Sequence, residues 1–92
     1  QIDFVRYLDE DGQLAPDTPA GAADTEVLLD LYRRMTYLRC FDAKAVALQR
    51  TGKLGTYASC LGHEAAHVAI GLAMRHEDVF CPMYREYGAQ FV

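Results

Sequence analysis

The chain has 92 residues, of which 51% are hydrophobic, and a formal net charge of −4 at neutral pH. That length is enough for one small domain at most. The acidic balance implies no basic face for nucleic acid, and no apolar run approaches the roughly 18 residues of a membrane span. The three cysteines are widely spaced and form no CxxC pair, which argues against a disulfide framework or zinc ribbon and favours a reducing compartment.

Residues 1–23 are predicted to form an N-terminal arm. Asp11-Gly12 is a turn signal between two short apolar stretches, so a small hairpin is expected there. Pro16, Pro19 and Gly21 then indicate a linker. The apolar residues of the arm favour packing of the arm on another protein surface. A flexible, unpacked terminus is the alternative.

A long helix is predicted from Thr25 to Arg50, because no Gly or Pro interrupts this stretch and its apolar residues recur at helical spacing. Asp24 is suited to cap the first turn, and Gly52 to the position beyond the end. Such a helix is roughly 40 Å long, whereas a compact domain of this size is about 30 Å across. We therefore expect it to pack against a part of the protein outside these residues or against another subunit. A coiled coil is the competing interpretation, with Asp42 interrupting its seam.

Residues 52–62 are predicted to form a loop whose glycines allow a ligand to approach the backbone, or which simply connects two helices. A second, largely buried helix is predicted over residues 63–74. It begins with His63-Glu-Ala-Ala-His67, which matches the HExxH pattern of zinc hydrolases, with Glu64 as the general base. The third histidine of the metzincins is missing. The alternative, that His67 is a hydrogen-bonded, semi-buried histidine, is preferred, and no metal ligand is assigned.

The stretch from Asp78 to Gly88 is predicted to contain a short buried strand at residues 79–81, then a proline turn and the start of a helix. Free backbone N–H groups and the helix dipole favour an anion at such a junction. Arg85 in the first helical turn opposes the dipole, but a phosphate between its guanidinium and the amides would reverse that cost. The alternative is an ordinary ion pair of Arg85 with Glu86 or another surface acid.

Taken in order, several segments between residues 31 and 92 resemble one family. They are Tyr32-Arg-Arg-Met35, Arg39-Cys-Phe-Asp42, Lys44-Ala45, Leu48-Gln-Arg50, Gly52-Lys-Leu-Gly-Thr-Tyr57, Gly62-His-Glu-Ala65 and Tyr84-Arg-Glu-Tyr-Gly-Ala89. Together they look like the α subunits of the thiamin-diphosphate-dependent 2-oxo acid dehydrogenases, the decarboxylating components of the pyruvate and branched-chain complexes. The chain departs from the family at His63, where glutamine is usual, and at Ala58, where some animal pyruvate enzymes have histidine.

The resemblance implies an α/β, thiamin-diphosphate-binding fold for the whole protein, of which this chain is a mostly α-helical part with the arm and one short strand. It implies that Tyr84 and Arg85 bind thiamin diphosphate, with Arg85 at the diphosphate group. It also implies that Thr56, Tyr57 and Ala58 lie around the mouth of the substrate pocket. Magnesium belongs to the implied cofactor site, but its Gly-Asp-Gly motif and the acid–base residues are expected outside these residues.

The implied activity is oxidative decarboxylation of pyruvate with acyl transfer to a lipoyl group, and branched-chain 2-oxo acids are the alternative substrates. The implied partners are a β subunit, the lipoyl domain of the acyltransferase component and a small 2-oxo acid, with neither nucleic acid nor membrane. The implied location is the bacterial cytoplasm, or the mitochondrial matrix in a eukaryote. A zinc hydrolase and a non-catalytic helical interaction module stay open as other classes.

The chain ends in a predicted helix with no stop signal after Phe91-Val92. We therefore expect the chain to be part of a longer one, and the resemblance implies that residues 24–92 are the opening part of a thiamin-diphosphate-binding domain. Such a piece is expected to be inactive by itself.

Overall fold

The computed structural model describes all 92 residues and consists of three α-helices and one 3₁₀ helix. In chain order these are α1 (Ala20–Ala23), α2 (Thr25–Arg50), α3 (Glu64–Ala73) and the 3₁₀ helix (Glu86–Phe91). The predicted turn of the arm is confirmed, since a single antiparallel bridge joins Leu8 to Leu14 on its two sides. No helix combines the length and hydrophobicity needed to span a membrane.

Helix α2 begins and ends where the sequence predicts, at Thr25 and Arg50. Its first turn is capped by Asp24, whose carboxylate accepts hydrogen bonds from the backbone N–H groups of Glu26 at 2.9 Å and Val27 at 3.4 Å. These N–H groups have no partner within the helix, so the side chain satisfies donors that would otherwise need water.

The C-terminal end of α2 is closed by a Schellman motif. The N–H of Lys53 donates to the carbonyl of Leu48 at 2.9 Å, and the N–H of Gly52 donates to the carbonyl of Gln49 at 3.0 Å. Gly52 has a φ of +72°, a left-handed conformation that glycine adopts without the steric cost of a Cβ atom. The predicted role of this glycine is therefore confirmed.

The core lies where α3 and the 3₁₀ helix pack against the middle of α2. Nine of the 92 residues are buried, which makes the core small. Close packing of the two shorter elements requires Gly71, because a Cβ atom there would lie 2.6 Å from the carbonyl oxygen of Ala89. The buried apolar side chains are Leu38, Ala45, Cys60, Val68 and Ala89.

Much of α2 extends beyond this core, as its length predicts. The chain measures 50 Å along its longest axis and has a radius of gyration of 16.0 Å, against about 12 Å for a compact domain of this size. The 92 residues therefore leave large apolar side chains of α2 uncovered. These are Val27, Leu28, Leu29, Tyr32, Tyr37 and Phe41.

The prediction of a buried strand at residues 79–81 is wrong for this structure. These residues have no regular secondary structure, and Val79 is 84% exposed. A strand exists only through hydrogen bonds to a neighbouring strand, and the chain contains none. The helix expected after the turn is a 3₁₀ helix, so that Arg85 is its N-cap residue instead of a member of its first turn.

Candidate functional site

Arg85 lies between the loop that precedes α3 and the start of the 3₁₀ helix. Its guanidinium donates from Nη1 to the carbonyl oxygen of Ser59, and its Cζ lies 5.0 Å from the centre of the Tyr84 ring. The alternative of an ion pair with Glu86 or another acid is wrong, since Arg85 forms no salt bridge. Since no acid pairs with this guanidinium, its other N–H groups can donate to an anion, whose oxygens their planar arrangement matches.

The structure brings Arg85, one of the two predicted cofactor residues, next to the predicted pocket loop. Arg85 donates to the carbonyl of Ser59, which follows the predicted pocket residues directly in the chain. The hydroxyl oxygen of Tyr87, two residues after Arg85, lies 3.2 Å from the carbonyl oxygen of Ala58. Two segments 26 residues apart in the chain therefore share one surface.

The individual side chains predicted at the site differ in their exposure. Tyr84 is 67% exposed, and Thr56 is also exposed. Ala58 and Tyr57 are half-buried. The hydroxyl of Tyr57 does not face the surface, because it donates inward to Asp42 at 2.8 Å.

Beneath this surface lies a buried carboxylate, Asp42, which accepts four hydrogen bonds. The donors are the Ser59 hydroxyl at 2.7 Å, the Tyr57 hydroxyl at 2.8 Å, the Cys60 backbone N–H at 2.8 Å and the Tyr87 hydroxyl at 3.1 Å. Asp42 is 2% exposed and forms no salt bridge. We call these five residues the Asp42 network.

The Asp42 network stabilises the ionised carboxylate. Burial by itself raises the pKa of Asp42, but the hydrogen bonds from Ser59, the Cys60 amide and the two tyrosines outweigh it and lower the pKa to about 2. Burial raises the pKa of Tyr57 to about 12, and burial also raises the pKa of Tyr87. At neutral pH both phenols therefore keep their protons and act as donors.

The sequence-based interpretation of Asp42 as a break in a coiled-coil seam missed this role. A signal was present, because Leu38, Asp42 and Ala45 are spaced by four and three residues and so share one face of a helix. All three are buried. A carboxylate on the buried face of a helix requires hydrogen-bond donors from elsewhere in the chain.

Acid is expected to destabilise the protein through Asp42. The folded-state pKa of about 2 lies below the ordinary value of 3.8, so the contribution of about 2 kcal/mol is complete above roughly pH 5 and is lost as the pH falls through about 2. Urea unfolding between neutral pH and about pH 2 should show a smaller pH-dependent loss of unfolding free energy in Asp42→Asn than in wild type. Identical pH dependence of the two proteins would contradict the assignment.

The HExxH residues do not form a zinc site in this structure. The Glu64 carboxylate accepts hydrogen bonds from Arg39 Nε and, at 3.0 Å, from the Gly62 N–H. The hydrogen bond from Arg39 is the main reason that the pKa of Glu64 is lowered to about 2. The rings of His63 and His67 lie 5.8 Å apart, and no group of three potential ligands is present. Glu64 thus links α3 to α2 and is not free to act as a base.

His67 is more deeply buried than the semi-buried, hydrogen-bonded histidine that the sequence favoured. It is 3% exposed, and its Nδ1 has no hydrogen-bond partner. Burial lowers the pKa of His67, so the ring is neutral at physiological pH. Oε2 of Glu86 is also buried without a partner.

The larger of two surface grooves lies away from the predicted site. It has a volume of about 480 Å³, and none of the predicted cofactor or substrate residues lines it. The two charged side chains that line it, Arg39 and Glu64, form an ion pair with each other. The lining residues are Tyr32, Met35, Thr36, Arg39, Gly62, Glu64 and Ala65.

The chain belongs to the dehydrogenase E1 component family, whose profile matches residues 32–92. Among its curated relatives, the pyruvate dehydrogenase E1 component subunit alpha of Staphylococcus epidermidis is 35% identical over 86 residues. Proteins of the same name from Bacillus cereus and Staphylococcus aureus are each 34% identical over 86 residues. Each alignment covers 94% of this chain but 23% of the relative. No solved structure matches the chain significantly. The family predicted from the ordered segments is confirmed.

Proposed function

We propose that this chain is the opening part of the α subunit of a pyruvate dehydrogenase-type enzyme. The enzyme would decarboxylate pyruvate oxidatively and pass the acyl unit to a lipoyl group. The names of the relatives support pyruvate, and branched-chain 2-oxo acids are the alternative substrates. Residues 1–23 would be the arm, and residues 24–92 the start of an α/β, thiamin-diphosphate-binding domain.

The single observation that carries the proposal is the uncompensated guanidinium of Arg85 beside the predicted pocket loop. It is held by the Ser59 carbonyl and forms no ion pair, so its donor set fits a diphosphate. Thiamin diphosphate supplies, when bound, the electron sink that lets a 2-oxo acid lose carbon dioxide. In this chain Arg85 would bind the diphosphate, and Tyr84 would line the cofactor-binding site. Magnesium would be held by residues outside the chain.

The substrate would meet the protein at the mouth of the pocket. We place Thr56, Tyr57 and Ala58 there, with Tyr57 contributing its ring because its hydroxyl is engaged by Asp42. Rates of decarboxylation of pyruvate and of 3-methyl-2-oxobutanoate by the full-length enzyme would decide between the two substrate classes. A faster reaction with the branched substrate would overturn the choice of pyruvate.

The proposed partners are the β subunit of the same enzyme and the lipoyl domain of the acyltransferase component. The exposed apolar side chains of α2 support a further packing partner, because burying them in an interface would be favourable. The proposed location is the cytoplasm of a bacterial cell, as for an enzyme of central metabolism.

Replacing Arg85 by alanine is expected to weaken thiamin diphosphate binding by about 10- to 100-fold, because a charge-assisted, bidentate contact is lost. The measurement is calorimetric titration of the full-length α–β assembly with thiamin diphosphate in the presence of magnesium. Arg33→Ala is the matched control, since it removes an exposed guanidinium that forms no ion pair. Equal affinities of wild type and Arg85→Ala would remove the assigned role of Arg85.

A further inference from the structure

The donors to Asp42 come from two segments only, and these are the segments that carry the predicted site. Ser59, Tyr57 and the Cys60 amide belong to the loop before α3, and Tyr87 belongs to the 3₁₀ helix. Asp42 itself lies within α2, which is fixed by a cap at each end. The Asp42 network therefore ties two segments without α-helix or strand to the most regular element of the chain.

Ser59 connects Asp42 to Arg85 directly. Its hydroxyl donates to Oδ2 of Asp42 at 2.7 Å, while its carbonyl accepts the hydrogen bond from Arg85 Nη1. A second connection runs through Tyr87, which is two residues after Arg85 and donates to Oδ1 of Asp42 at 3.1 Å. The position of the Arg85 guanidinium thus depends on the Asp42 carboxylate through both Ser59 and Tyr87.

Both oxygens of the Asp42 side chain must be hydrogen-bond acceptors, because only donors surround them. Oδ1 receives the two tyrosine hydroxyls and the Cys60 N–H, and Oδ2 receives the Ser59 hydroxyl. An ionised carboxylate has only acceptor atoms and no donor, so both of its oxygens can accept from these groups. An amide would direct N–H groups at a donor and would force at least one contact to break or reverse.

We propose that Asp42 is a positioning residue for the cofactor site, which holds the loop of residues 57–60 so that the Ser59 carbonyl keeps Arg85 in place for a diphosphate. Asp42 itself contacts neither cofactor nor substrate. The inference rests on the proposed function of Arg85, and it adds that the affinity for the anion is set partly by a buried carboxylate that acts on it through Ser59 and Arg85.

The first test is the affinity of the full-length α–β assembly for thiamin diphosphate with magnesium, measured for Asp42→Asn. We expect the dissociation constant to rise about tenfold or more, because a misplaced guanidinium loses charge-assisted hydrogen bonds. Val68→Ala is the control for general destabilisation, since Val68 is 1% exposed and belongs to no hydrogen bond of the Asp42 network. It should lower the melting temperature without changing the affinity, and wild-type affinity of Asp42→Asn would overturn the proposal.

The second test is a double-mutant cycle with Arg85→Ala. If Asp42 acts through Arg85, adding Asp42→Asn to Arg85→Ala should change the affinity by no more than about twofold. The same tenfold loss in both backgrounds would overturn the positioning role, because the two residues would then act independently. Ser59→Ala removes one hydrogen bond of the network but keeps the carbonyl, so it serves as the milder variant, with an expected loss of several-fold, if Asp42→Asn does not fold.

The third test reports on the loop without any cofactor. Cys60 is fully buried, whereas Cys40 and Cys81 are exposed. In Asp42→Asn we expect a small thiol reagent to modify Cys60 about tenfold faster or more, with the rates of the two other cysteines unchanged. Unchanged protection of Cys60 would overturn the proposal, whereas faster labelling together with wild-type affinity of Arg85→Ala would overturn only the cofactor role of Arg85.

Discussion

Replacing Leu38 by alanine is expected to lower the free energy of unfolding by about 2 to 5 kcal/mol. Leu38 is 1% exposed and is the largest of the fully buried side chains. It packs against the 3₁₀ helix, where its Cδ2 would lie 2.6 Å from a Cβ atom on Gly88. In a core of so few residues, little else can move in to fill the cavity. Urea unfolding of the full-length protein measures the loss.

The control for this prediction is Leu38→Met, which nearly conserves the side-chain volume. Such exchanges usually cost less than about 1.5 kcal/mol, so the methionine variant should unfold close to wild type. The two variants separate the volume of the side chain from the mere presence of a substitution at this position. If alanine and methionine had the same small effect, Leu38 would not belong to the core.

Replacing Gly71 by alanine is expected to destabilise the protein by about 1 to 3 kcal/mol. Intrinsic helix propensity acts in the opposite direction, since alanine in a helix is favoured over glycine by about 1 kcal/mol. Packing decides the sign here, because the new Cβ atom would lie 2.6 Å from the carbonyl oxygen of Ala89 and 2.7 Å from Cβ of Val92. Helix α3 and the 3₁₀ helix would have to separate.

The matched control is Gly55→Ala in the loop before α3. A Cβ atom on Gly55 would meet nothing within 4 Å, and its φ is not positive. Thermal unfolding of the full-length protein should therefore be nearly unchanged by Gly55→Ala and clearly shifted downward by Gly71→Ala. A stabilising effect of Gly71→Ala would mean that the close contact between the two helices does not exist in solution.

Helix α2 was predictable because its determinants are local. The cap formed by Asp24, the glycine at position 52 and the apolar spacing between them all lie within or next to α2, and both of its ends were correct. The strand at residues 79–81 was not predictable in this way. A short apolar run specifies a strand only together with a partner, and these 92 residues provide none.

The candidate site was predictable only in part for a similar reason. The position of Arg85 after a proline turn indicated an anion site, and the ordered segments indicated the family. The contact of Arg85 with the Ser59 carbonyl joins residues 26 apart, and no local pattern contains it. The HExxH pattern indicated a zinc site that the structure does not form. Its Glu64 instead pairs with Arg39, a residue of α2 that the motif does not include.

The sequence separations within the Asp42 network have a consequence for the order of folding. Tyr87 and Asp42 are 45 residues apart, so their contact closes a long loop and carries a corresponding entropic cost. Helix α2 can form earlier, because all of its hydrogen bonds are local. We therefore expect the Asp42 carboxylate of a newly made chain to stay hydrated on a nascent helix, and to lose its water only when Tyr57 and Tyr87 contact it.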